Sequence, residues 1–341
     1  MKRLSVIILL CVLSLFIGNS VFANSRTIKI STNDGKQVGK YTGSYALLIG
    51  VSNYKDWPEL HSVPSELKEL KGTLQEHGFQ VKTVIDPDSN EMQKAFDQFI
   101  DNYGYIPNNR LLFFYSGHGY SRKQGTKGYL VPKDAPIPSE DKQQFLSKAL
   151  DMTLIMAWSR SMEAKHSLFL FDSCFSGTIF QTKSLPEENP PHIKEITSEP
   201  VRQYISAGGA DQEVPSKSVF TPAVIDALRG EADLSGDGYV TGTELGMYLK
   251  EKVPQYHSSQ DPQYGKIPDP ELDDGNFVFV AGGSSVVDDD VDSGTEEGIL
   301  KIGTKPSGAE VYVSGKSRGS SPVALEELTP DSYLIRAEKP G

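Results

Sequence analysis

The fold is decided by a stretch that reads Leu111-Leu112-Phe113-Phe114-Tyr115-Ser116-Gly117-His118-Gly119. Its unbroken apolar run predicts a strand that is buried on both faces, as in a parallel sheet covered by helices. A second run, at residues 167–171, leads in the same way into Asp172-Ser173-Cys174-Phe175-Ser176-Gly177. Because open α/β folds place their sites where parallel strands end, we expect His118 and Cys174 to lie side by side at the carboxyl edge of one sheet.

The chain around these two runs alternates between strand and helix patterns. Strands are predicted at residues 45–51, 79–85 and 204–207, and helices at residues 65–77, 90–103, 153–164 and 221–228. Such alternation is typical of an α/β fold with a mostly parallel sheet flanked by helices.

A cysteine beside a histidine has a clear chemical use. A free thiol has a pKa of about 8.5, and an adjacent imidazole lowers that pKa or removes the proton, which produces a nucleophile. The backbone N–H groups of Gly119 and Cys174 are predicted to receive a developing oxyanion. Taken singly, each residue has a plainer interpretation, because a free cysteine usually packs in a core and a turn histidine usually has only local bonds.

The N-terminus indicates export. Lys2 and Arg3 precede a short apolar run and a cleavage pattern that ends at Ala23, so residues 1–23 are predicted to be a signal peptide. The alternative is a membrane anchor, but the run is short for a span of about 20 residues. The protein is therefore expected in the periplasm, outside the cell or on its surface. Removal of the signal leaves Cys174 without a second cysteine.

Composition and charge exclude several classes of protein. The 341 residues suggest about two domains, and two cysteines are too few for a disulfide scaffold. The net charge of −11 makes nucleic acid a poor partner. The predicted organisation is a leader at residues 24–43, a large domain at 44–281, an acidic linker at 282–298 and a small all-β module at 299–341.

A second candidate site follows the last predicted helix of the large domain. Residues 233–244 match the spacing of a 12-residue calcium loop. The candidate ligands are Asp233, Ser235, Asp237, Tyr239, Thr241 and Glu244. The alternative is an Asx–Gly turn that links two helices without metal.

The two strand-end motifs resemble the catalytic segments of caspase-like cysteine peptidases, most closely the bacterial metacaspase-like branch. The similarity covers about residues 44–280 and includes Gly50, Asn53 and Tyr54 after the first strand. It implies a caspase–haemoglobinase fold with His118 as base and acid, Cys174 as nucleophile, and the N–H groups of Gly119 and Cys174 as oxyanion hole.

The resemblance also implies the substrate. In metacaspase-like proteins the acidic residue two before the cysteine, here Asp172, favours Arg or Lys in the primary pocket by charge-assisted hydrogen bonding. Asp172 could instead cap a turn. Glu66 stands near the place of a further family Asp and either serves this pocket or caps a helix. Ser206 and Ala207 are expected to line the pocket wall.

Residues 305–309 and the β-segments that follow them resemble a PEGA module, with Pro306-Ser307-Gly308-Ala309 at the motif. This resemblance implies contact with the cell surface or with a protein partner, not catalysis.

Two hypotheses of function follow. The first is an exported cysteine endopeptidase that cleaves peptides or proteins after Arg or Lys through an acyl-enzyme, with no cofactor required for the chemistry and calcium as a candidate ligand. The second is a non-catalytic, calcium-responsive binding scaffold with the same fold. A serine hydrolase of the G-x-S-x-G type is excluded because no such nucleophile elbow, a sharp turn from a strand into a helix, occurs in the predicted large domain.

Overall fold

The apolar runs form a six-stranded sheet in a computed structural model of the chain. The structure describes residues 28–31, 37–122, 127–174, 197–208, 218–257, 260–283, 298–302, 304, 308–313, 316–328 and 335–338. The predicted signal peptide, most of the acidic linker and the side chain of Cys174 lie outside this description. The chain divides into two units with the boundary after Val287.

The first unit contains thirteen described strands and six described helices. The strands are β1 (Ile28–Ser31), β2 (Gln37–Tyr41), β3 (Gly43–Gly50), β4 (Gln80–Ile85), β5 (Asn109–Ser116), β6 (Gly119–Arg122), β7 (Lys127–Leu130), β8 (Leu150–Asp151), β9 (His166–Cys174), β10 (Val201–Gly208), β11 (Tyr239–Thr241), β12 (Gln263–Lys266) and β13 (Val278–Val280). The helices are α1 (Val63–Glu76), α2 (Ser89–Tyr103), α3 (Lys142–Lys148), α4 (Met152–Ser161), α5 (Phe220–Asp226) and α6 (Gly242–Tyr256), with a π-helical turn at Ala227–Glu231.

The central sheet has the strand order β12-β10-β9-β5-β3-β4. The pairs among β4, β3, β5, β9 and β10 are parallel, and only the edge strand β12 is antiparallel to its neighbour. The predicted mostly parallel α/β sheet is confirmed.

Local chemistry sets the helix ends. Asp88 and Glu91 form a capping box that begins α2. Helix α1 buries Leu67, Leu70 and Leu74 on the sheet and is followed by Gly78 at a φ of 78°, a left-handed conformation in which glycine is favoured. The periodic positions read from the sequence are therefore the buried ones.

Aromatic side chains align the three central strands. The Phe113 and Phe169 rings stack with centroids 4.5 Å apart, and the Phe169 and Tyr204 rings stack at 4.9 Å. These residues lie opposite one another in the register of β5, β9 and β10. The stack therefore helps to fix where the three strands end.

The residues before β3 are not merely a leader. They form the antiparallel pair β1–β2, whose last residue, Tyr41, is buried against Tyr239 and Val278. This hairpin was not predicted, because its polar composition carries no clear alternation.

The second unit is a small all-β structure, as expected. Its strands are β14 (Gly298–Ile302), β15 (Glu310–Val313), β16 (Lys316–Ser320), β17 (Val323–Leu328) and β18 (Ile335–Glu338). They pair antiparallel as β14–β17 and as β16-β15-β18. Over the whole described chain, no helix is both long and apolar enough to cross a membrane.

Candidate active site

The carboxyl edge of the central sheet brings the two predicted turns together. Gly50, Ser116 and Asp172 pair across β3, β5 and β9 at this edge. The Gly117 N–H donates to the Asp172 carbonyl at 3.4 Å, so the turn after β5 rests on the end of β9. Cys174 is the last residue of β9, and its backbone pairs with Gly208 of β10.

The His118 imidazole is held in one orientation. Its Nε2 lies 2.8 Å from the Pro58 carbonyl oxygen. A carbonyl only accepts, so Nε2 carries the hydrogen and Nδ1 keeps the lone pair in the neutral ring. Burial lowers the pKa of His118 below its usual 6.5. The side chain is therefore a neutral base at physiological pH.

Two aromatic rings cover the imidazole. The Tyr54 and Trp57 ring centroids lie 4.8 and 5.3 Å from that of His118. Trp57 is itself anchored, because its Nε1–H donates to the Ala135 carbonyl at 3.0 Å. This cover is the physical source of the lowered His118 pKa, since apolar surroundings disfavour the charged ring.

Two tyrosine hydroxyls hold the backbone of His118. The His118 N–H donates to the Tyr54 hydroxyl at 2.7 Å, and the Tyr115 hydroxyl donates to the His118 carbonyl at 2.8 Å. A Cβ atom on Gly117 would lie 2.6 Å from both hydroxyls, so this position requires glycine. Tyr54 stood in the family motif, but its contact with His118 was not predicted. The contact could have been suspected from the sequence, because a tyrosine hydroxyl that is buried usually finds a hydrogen-bond partner.

Gly119, the second residue predicted for the oxyanion hole, begins a short strand. It is the first residue of β6 and pairs with Leu130 of β7. Since the described residues include no substrate, the assignment of the Gly119 and Cys174 N–H groups to an oxyanion remains a prediction.

Asp172 is buried beside this edge, with 1% of its surface exposed. Its Oδ2 accepts hydrogen bonds from the hydroxyls of Ser218 and Thr221, both at 2.5 Å. Burial raises the pKa of the carboxyl group, and these hydroxyls oppose that rise. One carboxylate oxygen thus binds the start of α5, as the turn-capping alternative expects, while the other, Oδ1, has no hydrogen-bond donor in the described region. The pocket role of Asp172 stays a prediction.

The other predicted pocket residues differ in their placement. Ser206 and Ala207 are both fully buried. Ser206 pairs with Phe171, and the register between β9 and β10 shifts directly after this pair, so the pocket role of Ser206 and Ala207 stays a prediction. Glu66 lies half-buried in the first turn of α1, and its pocket role stays a prediction.

In the predicted calcium loop, three carboxylates accept backbone hydrogen bonds. Asp233 accepts from the N–H groups of Gly236, Asp237 and Gly238. Glu244 accepts from the Ser235 and Thr241 N–H groups and caps α6. Asp237 accepts from the Tyr239 N–H. Within the described residues, no three His, Cys, Asp or Glu side chains are grouped to hold a metal.

Two neighbouring parallel strands lead into His118, whose ring is held in place, and into Cys174. This arrangement defines a class of α/β fold that is suited to thiol chemistry. The caspase domain model matches residues 44–265, which is more than half of the chain. The chain therefore belongs to the caspase family of cysteine peptidases, peptidase family C14. The PEGA domain model matches residues 297–341.

Two mammalian proteins are similar in sequence to part of this chain. Human mucosa-associated lymphoid tissue lymphoma translocation protein 1 is 31% identical over 134 residues, which are 38% of this chain and 15% of that protein. Its mouse homolog is 30% identical over 134 residues, which are 38% of this chain and 14% of that protein. The chain thus matches about one seventh of the length of these relatives.

Solved structures show a weak overall likeness. The Drosophila initiator caspase Dronc covers 73% of this chain and 88% of its own at 13% identity, with a TM-score of 0.45. A protein of Geobacter sulfurreducens covers 67% of this chain and 95% of its own at 15% identity, with a TM-score of 0.44. The family assignment rests on the caspase domain model.

Proposed function

We propose that the chain is an exported cysteine endopeptidase that cleaves after Arg or Lys through an acyl-enzyme. The observation that carries the proposal is the state of His118. One ring nitrogen is fixed on the Pro58 carbonyl, the backbone is held by Tyr54 and Tyr115, and Nδ1 remains for chemistry. This histidine stands at the edge where β9 ends in Cys174.

The proposed reaction uses these two residues in sequence. His118 Nδ1 takes the Cys174 proton, and the thiolate attacks the scissile carbonyl carbon. The oxyanion that forms is received by the N–H groups of Gly119 and Cys174. The intermediate collapses as His118 returns the proton to the leaving amine, which breaks the peptide bond. His118 then activates a water that cleaves the thioester and restores the thiol.

The buried carboxylate of Asp172 supports the choice of a basic side chain. Oδ1 is shielded from water and has no donor within the described part of the chain. A buried acceptor without a donor costs about 1–3 kcal/mol, and a substrate cation would recover that cost. A guanidinium or ammonium group is the ligand that such an oxygen binds best.

The proposal is tested with fluorogenic peptides that end in Arg, Lys or Glu, and with a thiol-trapping peptidyl-Arg reagent. We expect cleavage of the Arg and Lys peptides, labelling of the wild-type protein, and loss of both in Cys174→Ala. Cleavage that persists in Cys174→Ala would exclude a cysteine mechanism. Wild-type protein that neither cleaves nor is labelled would favour the non-catalytic scaffold.

Calcium binding and export are proposed from the sequence patterns at residues 233–244 and 1–23. Calcium at residues 233–244 remains a prediction, which titration calorimetry of the protein with Ca²⁺ and with Mg²⁺ tests directly. Export through the predicted signal peptide is tested by fractionation of cells that carry the tagged full chain. The C-terminal β unit is proposed to contact the surface or a protein partner.

A further inference from the structure

Two hydroxyl groups at the start of α5 donate hydrogen bonds to one oxygen of Asp172. The Ser218 hydroxyl oxygen accepts the Phe220 and Thr221 N–H groups at 3.1 and 3.2 Å. Its hydrogen is therefore left for the carboxylate, which it meets at 2.5 Å. The Thr221 hydroxyl reaches the same Oδ2 at 2.5 Å. Two donors on a single oxygen leave Oδ1 as the free side of the carboxylate.

The neighbours of Asp172 that the structure identifies carry hydroxyl groups. From β5 the neighbour is Ser116, and at the start of α5 the neighbours are Ser218 and Thr221. Burial, the largest effect, raises the pKa of the carboxyl group, while the Ser218 and Thr221 hydroxyls and, to a lesser degree, the Thr221 N–H and the nearby Ser116 hydroxyl lower it. These donors therefore favour ionisation at this place.

The same geometry limits how a cation is bound. An Arg side chain gains most when its planar fork meets both oxygens of a carboxylate, whereas a Lys ammonium needs only one. With Oδ2 engaged by Ser218 and Thr221, the advantage of Arg over Lys should be small.

We propose that Ser218 and Thr221 are specificity-determining positioning residues, which hold Asp172 as an ionised, one-oxygen acceptor for the basic side chain of the substrate. The inference rests on the proposed peptidase function and goes beyond it. It assigns the charge preference to a helix turn that lies 44–47 residues after Cys174 in the sequence. It also specifies that Arg and Lys are both accepted.

The test compares two peptides that differ only in charge, one ending in Arg and the other in citrulline, its neutral isostere. kcat/KM is measured against pH for the wild type, Thr221→Val, Thr221→Ser and Ser218→Ala, with Tm as a control for folding. In Thr221→Val the Asp172 pKa rises further, so the acid limb of kcat/KM for the Arg peptide should move up by about one pH unit, a tenfold loss at low pH.

The citrulline peptide should change less than about twofold, and Thr221→Ser, which keeps the hydroxyl, should match the wild type within about twofold. Wild-type kcat/KM for Arg and Lys peptides should agree within about tenfold. Equal losses on the two peptides, or Thr221→Ser as impaired as Thr221→Val, would show a structural turn only and overturn the inference.

If Thr221→Val fails to fold, Ser218→Ala decides, and an unchanged acid limb there overturns the inference. Failure of the proposed function looks different, because wild-type protein would then cleave neither peptide. Wild-type cleavage of the Arg peptide with insensitive variants refutes only the role of Ser218 and Thr221.

Discussion

The central sheet carries a histidine at each of its two edges, and the two side chains differ in their hydrogen bonding. At the amino edge, His166 is fully buried, and both of its ring nitrogens are bonded, Nδ1 to the Tyr41 hydroxyl at 2.5 Å and Nε2 to the Glu199 carbonyl at 2.9 Å. At the carboxyl edge, His118 is partly exposed and, among the described residues, has a partner for Nε2 alone.

The amino edge is built to be closed. Arg110 is 2% exposed, and its guanidinium donates to the Ser44 hydroxyl and to the carbonyls of Val278 and His77. Arg202 is bonded in the same way to the carbonyls of Ser159 and Met162. These cations tie loops together, because each guanidinium nitrogen donates to an acceptor.

The comparison teaches that residue type does not distinguish a structural site from a reactive one. A buried histidine with two partners can neither take nor give a proton, and burial lowers the pKa of His166 to about 3. A histidine with one fixed nitrogen keeps the other for a reaction partner. The same reasoning underlies the proposal that Asp172, whose Oδ1 has no donor within the described region, binds the substrate.

The largest expected effect is the loss of peptidase activity when His118, but not His166, is replaced. His118→Ala should lower kcat by about 10²–10⁴-fold, the usual contribution of a general acid–base group, with Tm nearly unchanged. Peptide cleavage and thermal melting check both parts. A variant that retains wild-type kcat would remove His118 from the mechanism.

The second prediction concerns His166 at the amino edge, where a substitution should affect stability instead of activity. His166→Ala leaves the Tyr41 hydroxyl and the Glu199 carbonyl without their partner and opens a cavity, so the free energy of unfolding should fall by about 3 kcal/mol. Urea unfolding measures the loss, and kcat of the folded fraction should stay at the wild-type value. A stable variant with poor kcat would contradict the contrast between the two edges.

The third prediction concerns pH. The folded pKa of His166, about 3, lies below the unfolded value near 6.5, so the unfolded state binds the proton first. This contribution to stability is complete above pH 6.5 and is lost as the pH falls towards 3. Between pH 7 and 5 the free energy of unfolding should drop by roughly 2 kcal/mol. Unfolding at both pH values checks this, and His166→Gln should flatten the difference.

The smallest effect tests the hydroxyl that supports His118. Tyr54→Phe removes the acceptor of the His118 N–H, so kcat should fall by about tenfold while KM changes less than about twofold. Tyr45→Phe is the matched control, because Tyr45 stacks on Tyr103 away from the site. An equal rise in KM in Tyr54→Phe would point to a general loss of structure.

Sequence patterns predicted the regular core well and the connections poorly. The runs at β5 and β9 and the periodic leucines of α1 were identified because burial and period leave a local signature. The hairpin β1–β2, strand β12 and the partners of Asp172 were not, because each depends on contacts between residues far apart in the chain.

The sequence by itself determined that the chain forms a mostly parallel α/β sheet with His118 and Cys174 where two of its strands end, since apolar runs and the turns after them are local properties. Only the tertiary structure decided which groups have partners. It placed Pro58 against Nε2 of His118, two tyrosine hydroxyls on the His118 backbone, and Ser218 and Thr221 on one oxygen of Asp172. Hydrogen-bond partners arise from long-range packing, which residue order does not display.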